Sequence, residues 1–199
     1  RIMAQPGQKR SVGRPREFDE ERALEAAMDE FWKKGYESTS LNDLCCCTGL
    51  HKGSLYQAFG DKHQLFMRSL NRYADREYKT IASAALEQES PLDSIRTLVR
   101  MVCEHAAEGR GCLMINSMVE LAPHDPEVRD MLAQEGQRRI GVMAELLTKA
   151  QELGEIRAEL DPLKLAQQLM VGLAGSAALV KGLITTEEVM ELLESMIDL

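Results

Sequence analysis

Apolar residues recur three and four positions apart along nearly the whole of this 199-residue chain, and that spacing most constrains its fold. Ala23, Leu24, Ala27, Met28, Phe31 and Trp32 fall on one face at the 3.6-residue period of an α-helix. Leu65, Phe66, Ser69, Leu70 and Tyr73 make a second stripe. Ile95, Leu98, Val99, Val102, Cys103 and Ala106 make a third. Nowhere do β-branched residues alternate with polar ones over the length of a strand. Aromatic residues are only 5% of the chain, and eleven methionines fill in. The pattern predicts an all-α protein.

The breaks between stripes are also readable. Asp19 is placed to cap the first helix and Gly35 to end it. "ESP" at 89–91 separates a helix running from Asp61 to about Leu86 from the next, and "EGRG" at 108–111 interrupts the second half. "APHDP" at 122–126 reads as a turn, with Asp125 as cap and Pro126 at the first helical position. "LGEI" closes a long helix near Gly154, and "LDP" at 160–162 opens another. "KGLITTEE" at 181–188 holds a turn capped by Thr185 or Thr186. The expectation is about nine helices, with no repeat, no long linker and a boundary near residue 61.

A net charge of −8 argues at first against a nucleic-acid partner, but the charge is unevenly spread. Residues 1–16 carry Arg1, Lys9, Arg10, Arg14 and Arg16 and no acid, so a basic arm precedes an acidic body. Such arms often bind nucleic acid, and a solvated tail is the competing reading. The acidic remainder does not wrap DNA. No apolar run reaches the length that spans a bilayer, and the start lacks the apolar segment of a signal peptide. A cytoplasmic location, no membrane partner and five mostly reduced cysteines are expected. There is no Gly-rich phosphate loop, nucleophile elbow or H-E-x-x-H pattern. The chain is therefore expected not to be an enzyme, with no catalytic residues and no cofactor.

Residues 40–59 carry the most specific signal. Ser40 followed by Asp43 is a capping arrangement for a short helix with Leu41, Leu44 and Cys45 inward. Thr48-Gly49-Leu50 then breaks that helix, and Gly49 supplies the backbone freedom of a sharp turn. A second short helix covers roughly Lys52 to Phe59, with Leu55 and Phe59 inward. Two helices joined by a tight Gly-containing turn form a helix-turn-helix. Lys52, Ser54, Tyr56 and Gln57 face outward, and they are of the types that suit phosphates and base edges.

At this point the chain resembles a known family. "TSLNDLCCCTGLHKGSLYQAFGDKHQLF" is similar to the DNA-binding segment of the TetR family of bacterial transcription regulators. "FDEERALEAAMDEFWKKGYESTS" before it resembles that family's first helix and its F-x-x-x-G-Y-x-x-T-S ending. The resemblance covers roughly residues 16–66. It implies an all-helical homodimer whose first three helices read operator DNA, with a variable bundle that binds a small molecule and pairs the subunits. The expected layout is a basic arm over 1–16, a DNA-binding domain over 17–61 and a ligand-binding and dimerisation domain over 62–199. The expected function is a ligand-responsive transcription regulator, acting as a repressor that a small-molecule effector releases from double-stranded operator DNA. The alternative is a thiol-based redox regulator. The expected DNA-binding residues are Thr39, Lys52, Gly53, Ser54, Tyr56, Gln57 and Lys62. Tyr56 and Lys62 resemble residues that hold phosphates, while Lys52, Ser54 and Gln57 lie nearer the bases.

Two features depart from the family pattern. Cys45, Cys46 and Cys47 stand where small residues, commonly alanines, are usual. His51 stands at the N-cap where Ser or Thr is usual, and His is a poorer cap. Three consecutive helical positions point about 100° apart, so the cysteines do not converge on a tetrahedral zinc, whose ligands are spaced as in C-x₂-C. They are expected to pack as small apolar residues, with thiol sensing as the rival and no metal site. His63 is read as a solvated helix-start residue, with a phosphate contact as its rival. His105 borders an apolar stripe, and His124 sits in a turn without a chemical role.

Behind the reader, Met101, Met114, Met118 and Met143 are adaptable thioethers expected to line an effector pocket between helices, with Arg110 and Asn116 as polar anchors. Leu165, Leu169, Gly172, Leu173, Ser176 and Val180 form one face of a helix from about 162 to 182. Val189, Leu192, Leu193 and Met196 form a companion stripe, and Gly172, Gly175 and Ser176 leave room for a close helix. These faces are expected to build the dimer interface, which the resemblance implies is a four-helix bundle across a two-fold axis. An internal core helix pair is the alternative.

Overall fold

The computed structural model describes residues 16–107, 109–179 and 182–198. The arm up to residue 15, and Val180 of the expected interface, lie outside the described residues. Among the described residues there are nine helices and no strand. They are α1 (Arg16–Lys34), α2 (Leu41–Thr48), α3 (Lys52–Phe59), α4 (Lys62–Leu86), α5 (Pro91–Ala107), α6 (Leu113–Glu120), α7 (Pro126–Glu152), α8 (Pro162–Leu179) and α9 (Thr186–Asp198). None is long and apolar enough to cross a membrane.

Short polar side chains start most of these helices. Ser40 and Asp43 form a reciprocal capping box on α2. Asp125 accepts the backbone N–H groups of Glu127 and Val128 at the start of α7, each at 3.1 Å, with Pro126 in the first turn. Asp161 does the same for Leu163 and Lys164 at the start of α8, at 3.0 and 3.1 Å. Thr185, not Thr186, caps α9: its hydroxyl accepts from Glu188 N–H while the Glu188 carboxylate accepts from Thr185 N–H. Each such cap contributes about 1 kcal/mol. One expectation fails: α1 begins at Arg16, so Asp19 lies inside its first turn and not at its cap.

Two cores organise the helices. The first joins α1 to α4 and recruits α6 and the first half of α7, through Phe31, Leu44, Leu55, Phe59, Phe66 and Tyr73 against Leu121, Val128 and Leu132. Its aromatic centre is an edge-to-face set, with Phe31 and Phe66 ring centroids 5.1 Å apart and Tyr36 and Phe66 4.9 Å apart. The second core packs α5, the later half of α7, α8 and α9 around Ile95, Cys103, Leu147, Leu169 and Leu193. The helix-turn-helix therefore does not close its own core; helices far along the chain complete it. Trp32 Nε1 donates to the Gly111 carbonyl at 2.9 Å. The Glu120 carboxylate accepts the N–H groups of Tyr36 at 3.1 Å and Glu37 at 2.9 Å, which holds the turn before α2.

The faces of α8 and α9 differ from expectation. Leu165, Leu169, Leu173, Ser176, Val189 and Leu193 are buried inside the chain, and Met196 packs half-buried against the same core. A Cβ added at Gly172 would lie 2.7 Å from Leu193 Cδ2, so this glycine lets α9 of its own chain approach α8. The reason is general: the most apolar stripe of a helix goes to the nearest available core, and here that core is internal. The outer faces instead expose Leu163, Val171, Leu179 and Leu192, with Val171 at 74%.

Candidate nucleic-acid interface and the cavity behind it

The α2–turn–α3 unit is held from within. Gly49 takes a left-handed conformation at φ 70°, and its N–H donates to the Cys45 carbonyl, closing α2. Thr48 Oγ1 donates to the Leu44 carbonyl at 2.6 Å. Leu55 and Phe59 sink into the first core, which fixes the rotation of α3 about its axis. Lys52, Gly53, Ser54, Tyr56 and Gln57 are consequently exposed together. The Lys52 ammonium lies 5.7 Å from the Tyr56 ring centre, within cation–π range. A Cβ at Gly53 would meet nothing within 4 Å, so this glycine serves open space, not packing. His51 makes no side-chain cap bond, which leaves the first-turn N–H groups of α3 open to an outside acceptor.

Lys62 extends this surface from the start of α4. Its ammonium sits over the Tyr36 ring, 4.3 Å from the centre, so the side chain is oriented before any partner arrives. Thr39 differs from the others. It is fully buried, and its hydroxyl donates to the Gly35 carbonyl at 2.6 Å. It shapes the turn between α1 and α2 and does not present its side chain outward.

His63 is not simply solvated, nor does it face outward with Lys62. Its Nε2 donates to Asp125 Oδ2 at 2.8 Å, and its Nδ1 lies 3.8 Å from Glu127. Burial works against ionisation of Asp125, but the Val128 N–H, the His63 side chain and the Glu127 N–H together hold its carboxyl below the ordinary range.

All five cysteines are free. Cys45 and Cys47 are half-buried against the first core, while Cys46 is exposed. Burial, with the Glu30 charge second, pushes the Cys47 thiol up to about 11. Burial also raises the Cys103 thiol, which lies 3.9 Å from Ser176 Oγ. Among the described residues no group of three or more His, Cys, Asp or Glu side chains is placed to hold a metal ion.

A cavity of about 230 Å³ lies between the two cores. Met114, Met118 and Met143 line it as expected, with Leu98, Val102, Ile115, Met170 and Leu173. Met101 lines a separate space of about 250 Å³ beside Arg76 and His105. Arg110 and Asn116 line neither. Arg110 pairs with Asp29 at 2.6 Å, stacked 4.6 Å over Trp32, and Asn116 donates to the Arg110 carbonyl at 3.0 Å. Both are drawn into the joint between α1 and α6, because an acid and an indole on α1 offer the guanidinium better partners than an apolar cavity does. The charged group that does line the cavity between the cores is Arg139, with the Tyr78 phenol also in its wall. It follows Leu132 and Gly136 and precedes Met143 on the inner face of α7, so an arginine set in an apolar i, i+3, i+4 series was its available signal.

The amino-acid sequence from 23 to 68, spanning most of α1 through the start of α4, matches the family model of bacterial regulatory proteins of the tetR family. Residues 91–196, from α5 to α9, match the tetracyclin repressor-like C-terminal domain. The chain belongs to the TetR family. Among curated TetR-type relatives, the HTH-type transcriptional repressor ComR of Escherichia coli is 34% identical over 165 residues, 81% of this chain and 79% of that protein. The HTH-type transcriptional repressor BdcR, also of Escherichia coli, is 30% identical over 132 residues, 66% of this chain and 67% of its own length. Among solved TetR structures, a cysteine mutant of the regulator CifR complexed with a 26-bp double-strand operator DNA superposes with a TM-score of 0.77 at 29% identity, over 94% of this chain and 98% of that one. A TetR regulator from Chloroflexus aurantiacus, 23% identical over 92% of this chain and 93% of its own, gives 0.81 and supports the fold alone.

Proposed function

We propose that the protein is a homodimeric transcriptional repressor that binds operator DNA through α3 and is released by a small molecule in the cavity between its cores. The carrying observation is the exposed polar face of α3, with Lys52, Ser54, Tyr56, Gln57 and an uncapped helix start. Open N–H groups at a helix N-terminus suit a phosphate, and the side chains behind them suit base edges. The likeness to CifR bound to operator DNA supports this reading.

A single reader of this size holds few bases, so two must act together about 34–36 Å apart, one helical turn of DNA. The outward Leu163, Val171, Leu179 and Leu192 on α8 and α9 supply the pairing face. Full burial of each such side chain is worth about 1.5–3 kcal/mol. Gly175 on the same face has nothing within 4 Å of an added Cβ, which admits a partner helix closely.

Release follows from α6. Met114, Ile115 and Met118 of this helix line the cavity, and its last residue, Glu120, holds the turn that leads into α2. A ligand that favours a shifted α6 moves that turn and alters the spacing of the two readers. Operator affinity then falls by the ligand's difference in binding free energy between the two arrangements.

The test is selection of bound duplexes from a random library by the full chain. A two-fold symmetric motif is the expected outcome. Retention of duplexes without any shared motif would sink the proposal.

A further inference from the structure

The cavity is lined mostly by apolar side chains, with Tyr78, Cys112 and the charged Arg139 among them. Arg139 reaches its wall from α7, its side chain about four-fifths buried, and its Nη2 has no hydrogen-bond partner among the described residues. The cause lies one turn back. Glu135 is buried, and Arg138 takes both of its oxygens, Nε to Oε2 at 2.8 Å and Nη2 to Oε1 at 2.7 Å. Arg139 is left with a single bond, Nε to Oε1 at 3.1 Å. Two guanidiniums thus share one hydrogen-bonded carboxylate, and the surplus positive charge lies with Arg139 at the cavity wall. Arg138 is further occupied by the Tyr78 ring, 3.8 Å beneath it. A buried guanidinium nitrogen without an acceptor is costly, and a planar carboxylate is the acceptor that a guanidinium fits best.

Resting on the effector-released reading above, we propose that the effector is a small organic acid: an apolar body seated among Met114, Met118, Met143 and Leu98, with its carboxylate on the Arg139 guanidinium. The volume of about 230 Å³ is below the range of about 300–1,000 Å³ for drug-sized ligands, which points to a short chain or a single ring. A cation is excluded from this place by the surplus positive charge. A neutral molecule leaves that charge uncompensated.

Calorimetric titration of the full chain tests the assignment. The probes are straight-chain carboxylates of about four to eight carbons and benzoate, each beside its primary amide. At least one acid binds, and its amide binds at least about tenfold more weakly, because charge-assisted hydrogen bonds are roughly twice as strong as neutral ones. Arg139→Met loses at least about tenfold in affinity for the acid and holds its weak affinity for the amide. Arg139→Lys keeps part of the preference for the acid. Thermal melting and operator binding, measured on both variants, separate a lost site from a lost fold. Equal binding of acid and amide by the parent overturns the proposal, as does parent-like acid binding by a folded Arg139→Met or silence across the whole series. Operator binding by the parent in those cases leaves the repressor reading intact, whereas absent operator binding with the acid preference retained would remove the repressor reading and leave the acid site without its effector role.

Discussion

His63 Nε2 lies 2.8 Å from Asp125 Oδ2, and the same Asp125 side chain caps α7 with its other oxygen. One carboxylate therefore joins the first turn of α4, beside the reader, to the first turn of the longest helix. Asp125→Ala removes the cap and the tether together. The expected cost is about 1–2 kcal/mol, or roughly 2–8 °C in Tm for a chain of this size. The sign of the pH dependence follows from the depressed carboxyl. Its contribution is complete above the unfolded-state value of about 4 and is lost as pH falls through the lower folded value. Melting curves taken as pH falls from 7 to below 4 should show the parent starting to lose this increment and Asp125→Ala having none to lose.

The residues proposed to face DNA divide by role. Lys62 is held on Tyr36 at the edge of the surface, while Gln57 lies on the exposed face of α3. Lys62→Ala should weaken binding to all duplexes and lower the salt slope by about one per reader. Gln57→Ala should relax preference at one position of each half-site, at about 1–3 kcal/mol. Titrations of operator and random DNA at several salt concentrations separate the two; identical behaviour contradicts the division.

The proposed pairing face gives an opposed pair of variants. Val171 is 74% exposed and Leu173 only 4%. Val171→Glu should yield a folded monomer, since a charge on a helix seam loses its water on pairing. Leu173→Glu places the same charge in the second core and should destabilise the monomer itself. Sedimentation with circular dichroism distinguishes these outcomes. A tight dimer of Val171→Glu moves the interface elsewhere.

The cysteine run should be inert. Burial leaves Cys47 as a thiol at neutral pH, and the thiolate is the reactive form. Cys45→Ala, Cys46→Ala and Cys47→Ala should each fold and bind operator, because each keeps a good helix former. Mild peroxide should leave operator binding of the parent unchanged. Release by peroxide that the triple alanine variant resists would establish a thiol switch instead.

Local chemistry made much of this legible. Ser40 with Asp43, Asp125 with Pro126, and Leu55 with Phe59 act within one or two turns, so their roles were readable before any fold was known. What stayed hidden depends on partners far along the chain. A stripe such as Leu165, Leu169 and Leu173 announces that a face is buried, but not whether its own chain or a second copy covers it. Arg110, expected as a cavity anchor, is held instead by Asp29, 81 residues earlier. Thr39, expected to contact DNA, turns its hydroxyl inward to the Gly35 carbonyl instead. Arg139 was hidden by an acid four residues back that another arginine saturates.

The most direct test of the central claim is an anisotropy titration of the full chain on the selected duplex, beside a duplex carrying one half-site and one scrambled to the same composition. The account predicts two chains per full duplex, at least about a thousandfold preference over the scrambled one, and a large loss on the half-site. Equal affinity for all three duplexes would contradict it.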